Sequence, residues 1–232
     1  MNETRRVVIA TGNPHKIEEI SAILGPDSAS LGLSFVGLDA FPEHAEPEPV
    51  EDADTFEGNA AIKAVEYARR TGCWCLADDS GLVVDALEGA PGVLSARYAA
   101  EGYDGFGELP RADRDARNNA KLLAALEGVA PEARTARFVC AMVLAGPGID
   151  GGASVMASVR GTFEGRIGEP PRVPSGEHGF GYDPLFLVAE PGAGREPFSV
   201  ASAELPPEQK NRLSHRAAAC RLMSRKLQGI PT

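Results

Sequence analysis

Asp78 and Asp79 stand side by side after the apolar run Cys73 to Ala77, and Ser80-Gly81 follows them. Successive strand residues point to opposite faces, so one carboxylate is expected to face a cleft while the other does structural work. Two adjacent carboxylates raise each other's cost of ionisation unless a cation is present. Magnesium is the natural candidate, because it takes one or two carboxylates and completes its shell with water and phosphate oxygens. A carboxylate there can also orient or deprotonate an attacking water. The same residues equally describe a solvated acidic turn. A second acidic stretch, Glu51 to Glu57, runs into Gly58, Asn59 and Lys63 and can supply a second magnesium carboxylate. Asn59 and Lys63 are four apart, on one helix face, and able to reach a ligand together. Helix capping by these acids is the plainer reading.

Three further clusters carry polar chemistry. Thr11-Gly12-Asn13-Pro14-His15-Lys16 lies between a strand and a helix, where unpaired N–H groups and the helix dipole favour phosphate. It lacks the spacing of a P-loop, and an ordinary capped helix would look similar. Gly179-Phe180-Gly181-Tyr182-Asp183-Pro184 sets two aromatics and an acid among glycines. An aromatic there can stack on a nucleobase for about 1–3 kcal/mol, and Asp183 can accept a base N–H; aromatics folded into the core are the alternative. In Lys210 to Arg216, Ser214 caps a helix whose first turn holds His215 and Arg216. Cations there oppose the helix dipole, so something anionic or acceptor-rich is expected to face them unless they are merely exposed. His15, His44, His178 and His215 are scattered without zinc spacing.

The elements that must position these residues follow from periodicity. Arg5 to Thr11 is a short β-branched strand; Ile17, Ile20 and Leu24 recur at helical spacing after Asn13 as N-cap and Pro14 at the first helical position. Residues 25–54 are loop-rich. A helix begins near Asp54 or Thr55, with Glu57 completing a capping box from Asp54, and ends at Gly72. Cys73 to Ala77 and Leu82 to Leu87 read as two strands. Residues 89–110 form a long glycine-rich loop, and Asp113 to Leu126 a helix. Thr135 to Ala145 and Ser154 to Phe163 pair across the turn 146–152; residues 165–184 are loop and Leu185 to Val188 a short strand. Pro206 to Asn211 makes a turn of helix before a last helix from Ser214 to about Leu227. Helices between strands, with some strands adjacent, indicate an α/β protein with a mixed sheet.

The 232 residues carry 33 acidic and 23 basic side chains, a formal charge of −10. That excess disfavours a protein that coats duplex nucleic acid, which needs a basic footprint, but leaves small phosphorylated ligands open. Lysines number only five, at 16, 63, 121, 210 and 226. Cys73, Cys75, Cys140 and Cys220 form no metal or disulfide pattern and read as thiols of a reducing compartment. With no targeting segment at the N-terminus and no membrane-length apolar run, a soluble cytoplasmic protein is expected.

In order and residue content the chain resembles the inosine triphosphate pyrophosphatase family, which hydrolyses deaminated purine nucleoside triphosphates (ITP, dITP, XTP) to the monophosphate and pyrophosphate. The matching segments are Ala10 to Lys16, Thr55 to Ala64, Ala77 to Leu82, Gly89 to Ala99, Gly179 to Phe186 and Glu204 to Ala217. The resemblance implies one domain over 1–232, a two-lobed α/β fold with a long central mixed β-sheet flanked by helices, an active-site cleft between the lobes, and a homodimer. It assigns the triphosphate to Thr11, Gly12, Asn13, Pro14, His15 and Lys16 with Lys63, and magnesium to Glu51 and Asp79. Asp79 is also the proton acceptor for water. Ser80 contacts substrate, Phe180 stacks on the base, and Gly181, Tyr182, Asp183, Lys210, His215 and Arg216 surround it. Three of the five lysines fall at these positions. Ser175 to His178 departs from an Arg-Gly common in the family, with Arg172 nearby as a substitute. Ala100 stands where Gly is usual, the loop from Glu101 to Arg111 is longer, and Val50 replaces an acid before Glu51.

The implied reaction is attack of a water, activated by Asp79, on the α-phosphorus, with magnesium-bound pyrophosphate leaving. Preference for a 6-oxo base is expected from donors at His215 and Arg216, which adenine's amino edge would leave unpaired. Two rivals stand beside it: a related pyrophosphatase preferring pyrimidine or methylated nucleotides, disfavoured by Asn13 and Lys16, and a nucleotide-binding sensor without catalysis, disfavoured by the presence of both Glu51 and Asp79.

Overall fold

The computed structural model describes residues 4–148, 151–191 and 194–230. Six strands form one sheet in the order β2-β1-β3-β4-β5-β6: β1 Arg5–Ile9, β2 Leu33–Gly37, β3 Trp74–Val84, β4 Thr135–Pro147, β5 Ala153–Ile167 and β6 Phe186–Val188. The helices are α1 Pro14–Ser28, α2 Pro42–Ala45, α3 Phe56–Thr71, α4 Arg111–Ala125, α5 Pro207–Leu213 and α6 His215–Leu227. β1 runs parallel to β2 and β3, while β5 and β6 are antiparallel, so the sheet is mixed as expected. The chain divides into two compact units. The first comprises Met1–Asp79, Cys140–Gly161 and His215–Thr232; the second, Ser80–Val139 and Thr162–Ser214.

In the first unit the parallel strands require crossovers, and α1 supplies the one from β1 to β2. Strand alternation sorts the core into two layers. Val7, Ile9, Trp74 and Leu76 pack with Ile20 and Leu24 of α1 and with Cys220 and Met223 of α6. Val8, Ala10, Cys75 and Ala77 pack with Ala60, Ala64, Tyr67 and Ala68 of α3. Alanines at helical spacing let α3 lie close to the strands. Thr55 caps α3, its Oγ1 accepting from Gly58 N at 3.1 Å, and Gly72 follows it with φ 65°. The cap is therefore Thr55 rather than Asp54, and Glu57 instead pairs with Arg160 at 2.8 Å.

Two expectations need correction here. Residues 25–54 are more ordered than a loop: α1 runs on through Gly25 and Pro26 to Ser28, and Leu33–Gly37 forms β2. Pro26 lies in the last turn and brings no N–H to the helix ladder, yet α1 continues past it, and the five-residue β2 exists by pairing with β1. Nor is the chain broken at Asp78 to Gly81, since β3 passes straight through it. The turn expected at 146–152 contains residues 149 and 150, which lie outside the described residues.

The second unit has its own core, including Leu82, Val84, Leu122, Leu126, Phe138, Phe163, Tyr182 and Phe186. The Phe186 ring lies 4.7 Å from that of Phe138 and 5.4 Å from that of Phe163. Arg134, only 5% exposed, donates to the carbonyls of Leu126 (2.8 Å), Val129 (2.9 Å) and Gly168 (3.3 Å), and pairs with Glu169. It thus satisfies carbonyl groups at the end of α4. Replacing it by Ala strands these acceptors, at a cost of about 3 kcal/mol. The expected result is a clear fall in the thermal midpoint; a variant melting with the wild type would refute this role. Among the described residues no helix is long and apolar enough to cross a membrane.

Candidate active site

The alternation of β3 decides what each aspartate does. Asp78 shares the face of Trp74 and Leu76, toward α1 and α6. It is 2% exposed, and its Oδ2 lies 3.0 Å from Lys16 Nζ and 3.4 Å from Arg216 Nε. Arg216, 3% exposed, also binds Glu19. Burial opposes ionisation of Asp78, but the charges of Lys16 and Arg216 outweigh it and hold the carboxyl well below the usual range. α6 reaches this position because β5 carries Gly161. A Cβ there would fall 2.3 Å from the His215 carbonyl oxygen and 2.4 Å from Ala219 N, so any other residue would force the helix away.

Asp79 points the other way, toward α3. It is half-buried and accepts from Asn59 Nδ2 at 3.2 Å. Burial, reinforced by the negative charge of Glu51, raises its proton affinity against the pull of Lys63. Glu51 Oε2 is 3.0 Å from Lys63 Nζ. Asn59, 2% exposed, also accepts from Ala53 N through Oδ1 at 3.0 Å. It therefore ties the Glu51 segment to Asp79 instead of reaching outward beside Lys63. Two hard oxygen donors whose charges repel suit a magnesium ion. No group of three or more metal-ligating side chains occurs among the described residues, so such an ion would rely on water and phosphate oxygens, the shell magnesium prefers.

The Thr11 to Lys16 turn opens α1. Thr11 Oγ1 accepts from Asn13 N at 3.2 Å, and Asn13 O accepts from Lys16 N at 3.1 Å and Ile17 N at 3.2 Å. Pro14 is the first residue of the helix; the His15 side chain lies outside the described residues. A concavity of about 570 Å³ flanks Thr11, Gly12 and Pro14. Its lining includes Glu18, Asp39, Glu46 and Glu48 and neither Lys nor Arg. Four carboxylates repel a polyanion, so this hollow is a poor triphosphate site despite its size. Lys16 and Lys63 are the phosphate-compatible groups of this unit, and both are held by carboxylates. His215, half-buried, opens α6.

In the second unit Ser80 is half-buried within β3. The loop Phe180 to Asp183 is organised around Asp183, which is 4% exposed. Its Oδ2 accepts from Phe180 N at 2.9 Å and from Lys210 Nζ, and its Oδ1 from Ser202 Oγ at 2.9 Å. Both oxygens are thus engaged within the fold, whereas a base contact had been expected of one. Gly179, at φ 82°, is required: a Cβ would sit 2.2 Å from Asp183 Oδ2 and 2.5 Å from Lys210 Nζ. Tyr182 is buried, its hydroxyl donating to Ser95 O at 2.8 Å, while Phe180 stays half-buried. Of the two aromatics, one is core and the other remains available for stacking. Gly181 N and O bind Asp115 Oδ2 and Asn119 Nδ2, at 2.9 and 3.1 Å. Arg172 binds Glu204 and Ser199 O.

Sequence reasoning missed the linking role of Asn59 and the α4 residues Arg111, Asp115 and Asn119. Their i, i+4, i+8 spacing was visible, but Phe180 and Gly181, which they contact, are more than sixty positions away.

Fold and site together define an α/β protein with an acid–lysine cluster suited to phosphorylated ligands. The chain belongs to the Ham1 family, whose model matches residues 7–226. It is 46% identical over 215 residues to the dITP/XTP pyrophosphatase of Nitratidesulfovibrio vulgaris, covering 93% of this chain and 92% of that protein. It is 46% identical over 228 residues to the protein of the same name from Geobacter sulfurreducens, with 97% and 98% covered. The solved Ham1 protein of Coxiella burnetii superposes with a TM-score of 0.75 at 34% identity, covering 97% and 100% of the two chains.

Proposed function

We propose that this protein hydrolyses deaminated purine nucleoside triphosphates (ITP, dITP and XTP) to the monophosphate and pyrophosphate, removing them from the nucleotide pool. The observation that carries the reading is the geometry at Asp79: a half-buried carboxylate fixed by Asn59 at 3.2 Å on the face of β3 toward α3, where Lys63 holds Glu51 at 3.0 Å. It occurs in a chain 46% identical to proteins named for dITP/XTP pyrophosphatase activity. A carboxylate held in place through one oxygen can orient or deprotonate a water with the other. Lys16 and Lys63 offset the charge of the phosphate chain. Glu51 and Asp79 are the residues that would hold magnesium, which when bound neutralises charge on the departing pyrophosphate.

Phe180 provides the stacking surface for the base. Arg216 is committed to Asp78 and Glu19, so recognition of the 6-oxo group falls first to His215, with Arg216 anchoring the turn that carries it. The four free thiols suit a reducing cytoplasm, and family resemblance supports a homodimer, which light scattering would test.

Pyrophosphate release from ITP, dITP, XTP, GTP and ATP with magnesium tests the function. The first three are expected to exceed ATP by about 10⁴-fold, the scale on which buried polar groups left unpaired reject a substrate. Equal turnover of ATP would overturn the proposal.

A further inference from the structure

The Phe180–Gly181 segment is held from outside its own loop. Gly181 is bound at both of its backbone polar groups by one face of α4, through Asp115 Oδ2 and Asn119 Nδ2. Four residues before Asp115, Arg111 lays its guanidinium 4.3 Å from the centre of the Phe180 ring. Arg111 Nε also lies 3.9 Å from Asp115 Oδ2. The three side chains therefore recur at helical spacing on the stretch that meets this loop. A neighbouring face does different work: Asn118, 2% exposed, binds Ala99 N and the carbonyls of Ser95 and Ala96, and Lys121 binds Tyr98 O. The fold thus already anchors α4 without Arg111, Asp115 or Asn119. Asn119 Oδ1 is moreover buried with no hydrogen-bond partner among the described residues, a mismatch that packing does not explain.

We propose that Arg111, Asp115 and Asn119 form a positioning face that sets the Phe180 ring as the platform for the purine base, with the Arg111 guanidinium packed against the ring. This rests on the reading of Phe180 as the base platform. The bonded N–H lies in the peptide joining Phe180 to Gly181 and the bonded C=O in the peptide joining Gly181 to Tyr182, so the peptide on each side of Gly181 is held and the Phe180 ring inherits that constraint. Pre-organisation of this kind acts on ligand affinity, since the ordering cost is met before binding. A cation over an aromatic ring adds attraction that stiffens it, and Lys210 Nζ, held by Asp183, lies 5.5 Å from the same ring centre.

The test uses the full chain with Arg111→Ala, Asp115→Ala and Asp115→Asn. Three quantities are read: KM and kcat for pyrophosphate release from ITP, IMP affinity by titration calorimetry, and the thermal midpoint. Asp115→Ala is expected to raise KM and weaken IMP binding about tenfold, the loss of one hydrogen bond to a fixed peptide. kcat should stay within about threefold, because no reacting atom is touched. Asp115→Asn should restore most of the affinity, as its amide oxygen still accepts from Gly181. Arg111→Ala, a surface change, should weaken IMP binding about threefold at an unchanged midpoint. Unchanged IMP affinity in both alanine variants would overturn the proposal, as would losses that merely track a falling midpoint. Wild-type protein that neither binds IMP nor hydrolyses ITP would overturn the base-platform reading and this proposal with it. Wild-type activity alongside indifferent variants would remove the α4 proposal alone.

Discussion

Asp79→Asn is expected to lower kcat for ITP by about 10²–10⁴-fold, the contribution of a well-placed general base, while leaving the protein folded. Asn matches Asp in size, and its amide oxygen can still accept from Asn59, which bonds Asp79 Oδ2 at 3.2 Å. The substitution also removes a negative charge that stands against Glu51 in a half-buried setting. The thermal midpoint should therefore hold or rise slightly. The loss should appear in kcat more than in KM, because Lys16 and Lys63 remain to bind the phosphate chain. Steady-state kinetics with a parallel melting curve decides it. Activity within threefold of wild type would remove Asp79 from the role of proton acceptor.

The neighbouring substitution should fail in the opposite manner. Asp78→Ala leaves the ammonium of Lys16 and the guanidinium of Arg216 without the carboxylate both approach. Breaking a buried ion pair by removing one partner costs about 3–5 kcal/mol. For a chain of this length each kcal/mol moves the midpoint by about 2–4 °C. The expected fall is accordingly about 6–20 °C. Glu19 still holds Arg216, which sets a limit on the damage at that side chain. Lys16, released from Asp78, should also bind phosphate with less orientation, so activity drops as a secondary effect. A variant melting within about 2 °C of wild type would refute the account of Asp78 as the hub. Two melting curves, read beside the ITP kinetics, separate the structural role argued for Asp78 from the catalytic role proposed for Asp79.

Much of this was legible beforehand. Alternation along a strand is a local property with a period of two, so opposite fates for Asp78 and Asp79 followed from adjacency alone. The strand, glycine turn and helix around Thr11 to Lys16, the start of α6 after Ser214 and the close of α3 at Gly72 are likewise set by neighbours in sequence. β2 and the last turn of α1 were not legible, because a short edge strand draws its stability from β1 and Gly25-Pro26 is a local helix-stop signal that α1 nevertheless runs through. The apparent break at Asp78 to Gly81 had the same origin: polar residues read as a turn unless partners elsewhere in the fold absorb them.

By itself the sequence determined the α/β class of the fold, most of its helices and strands, and the residue types that can bind phosphate, metal and base. Only the tertiary structure decided which aspartate is buried with Lys16 and Arg216 and which is presented to Asn59. It alone showed that both oxygens of Asp183 are occupied, that Tyr182 belongs to the core and that α4 grips Gly181. These outcomes depend on hydrogen bonds and ion pairs between residues far apart in the chain. The helix packed on each face of the sheet, rather than any neighbouring residue, chooses the partner.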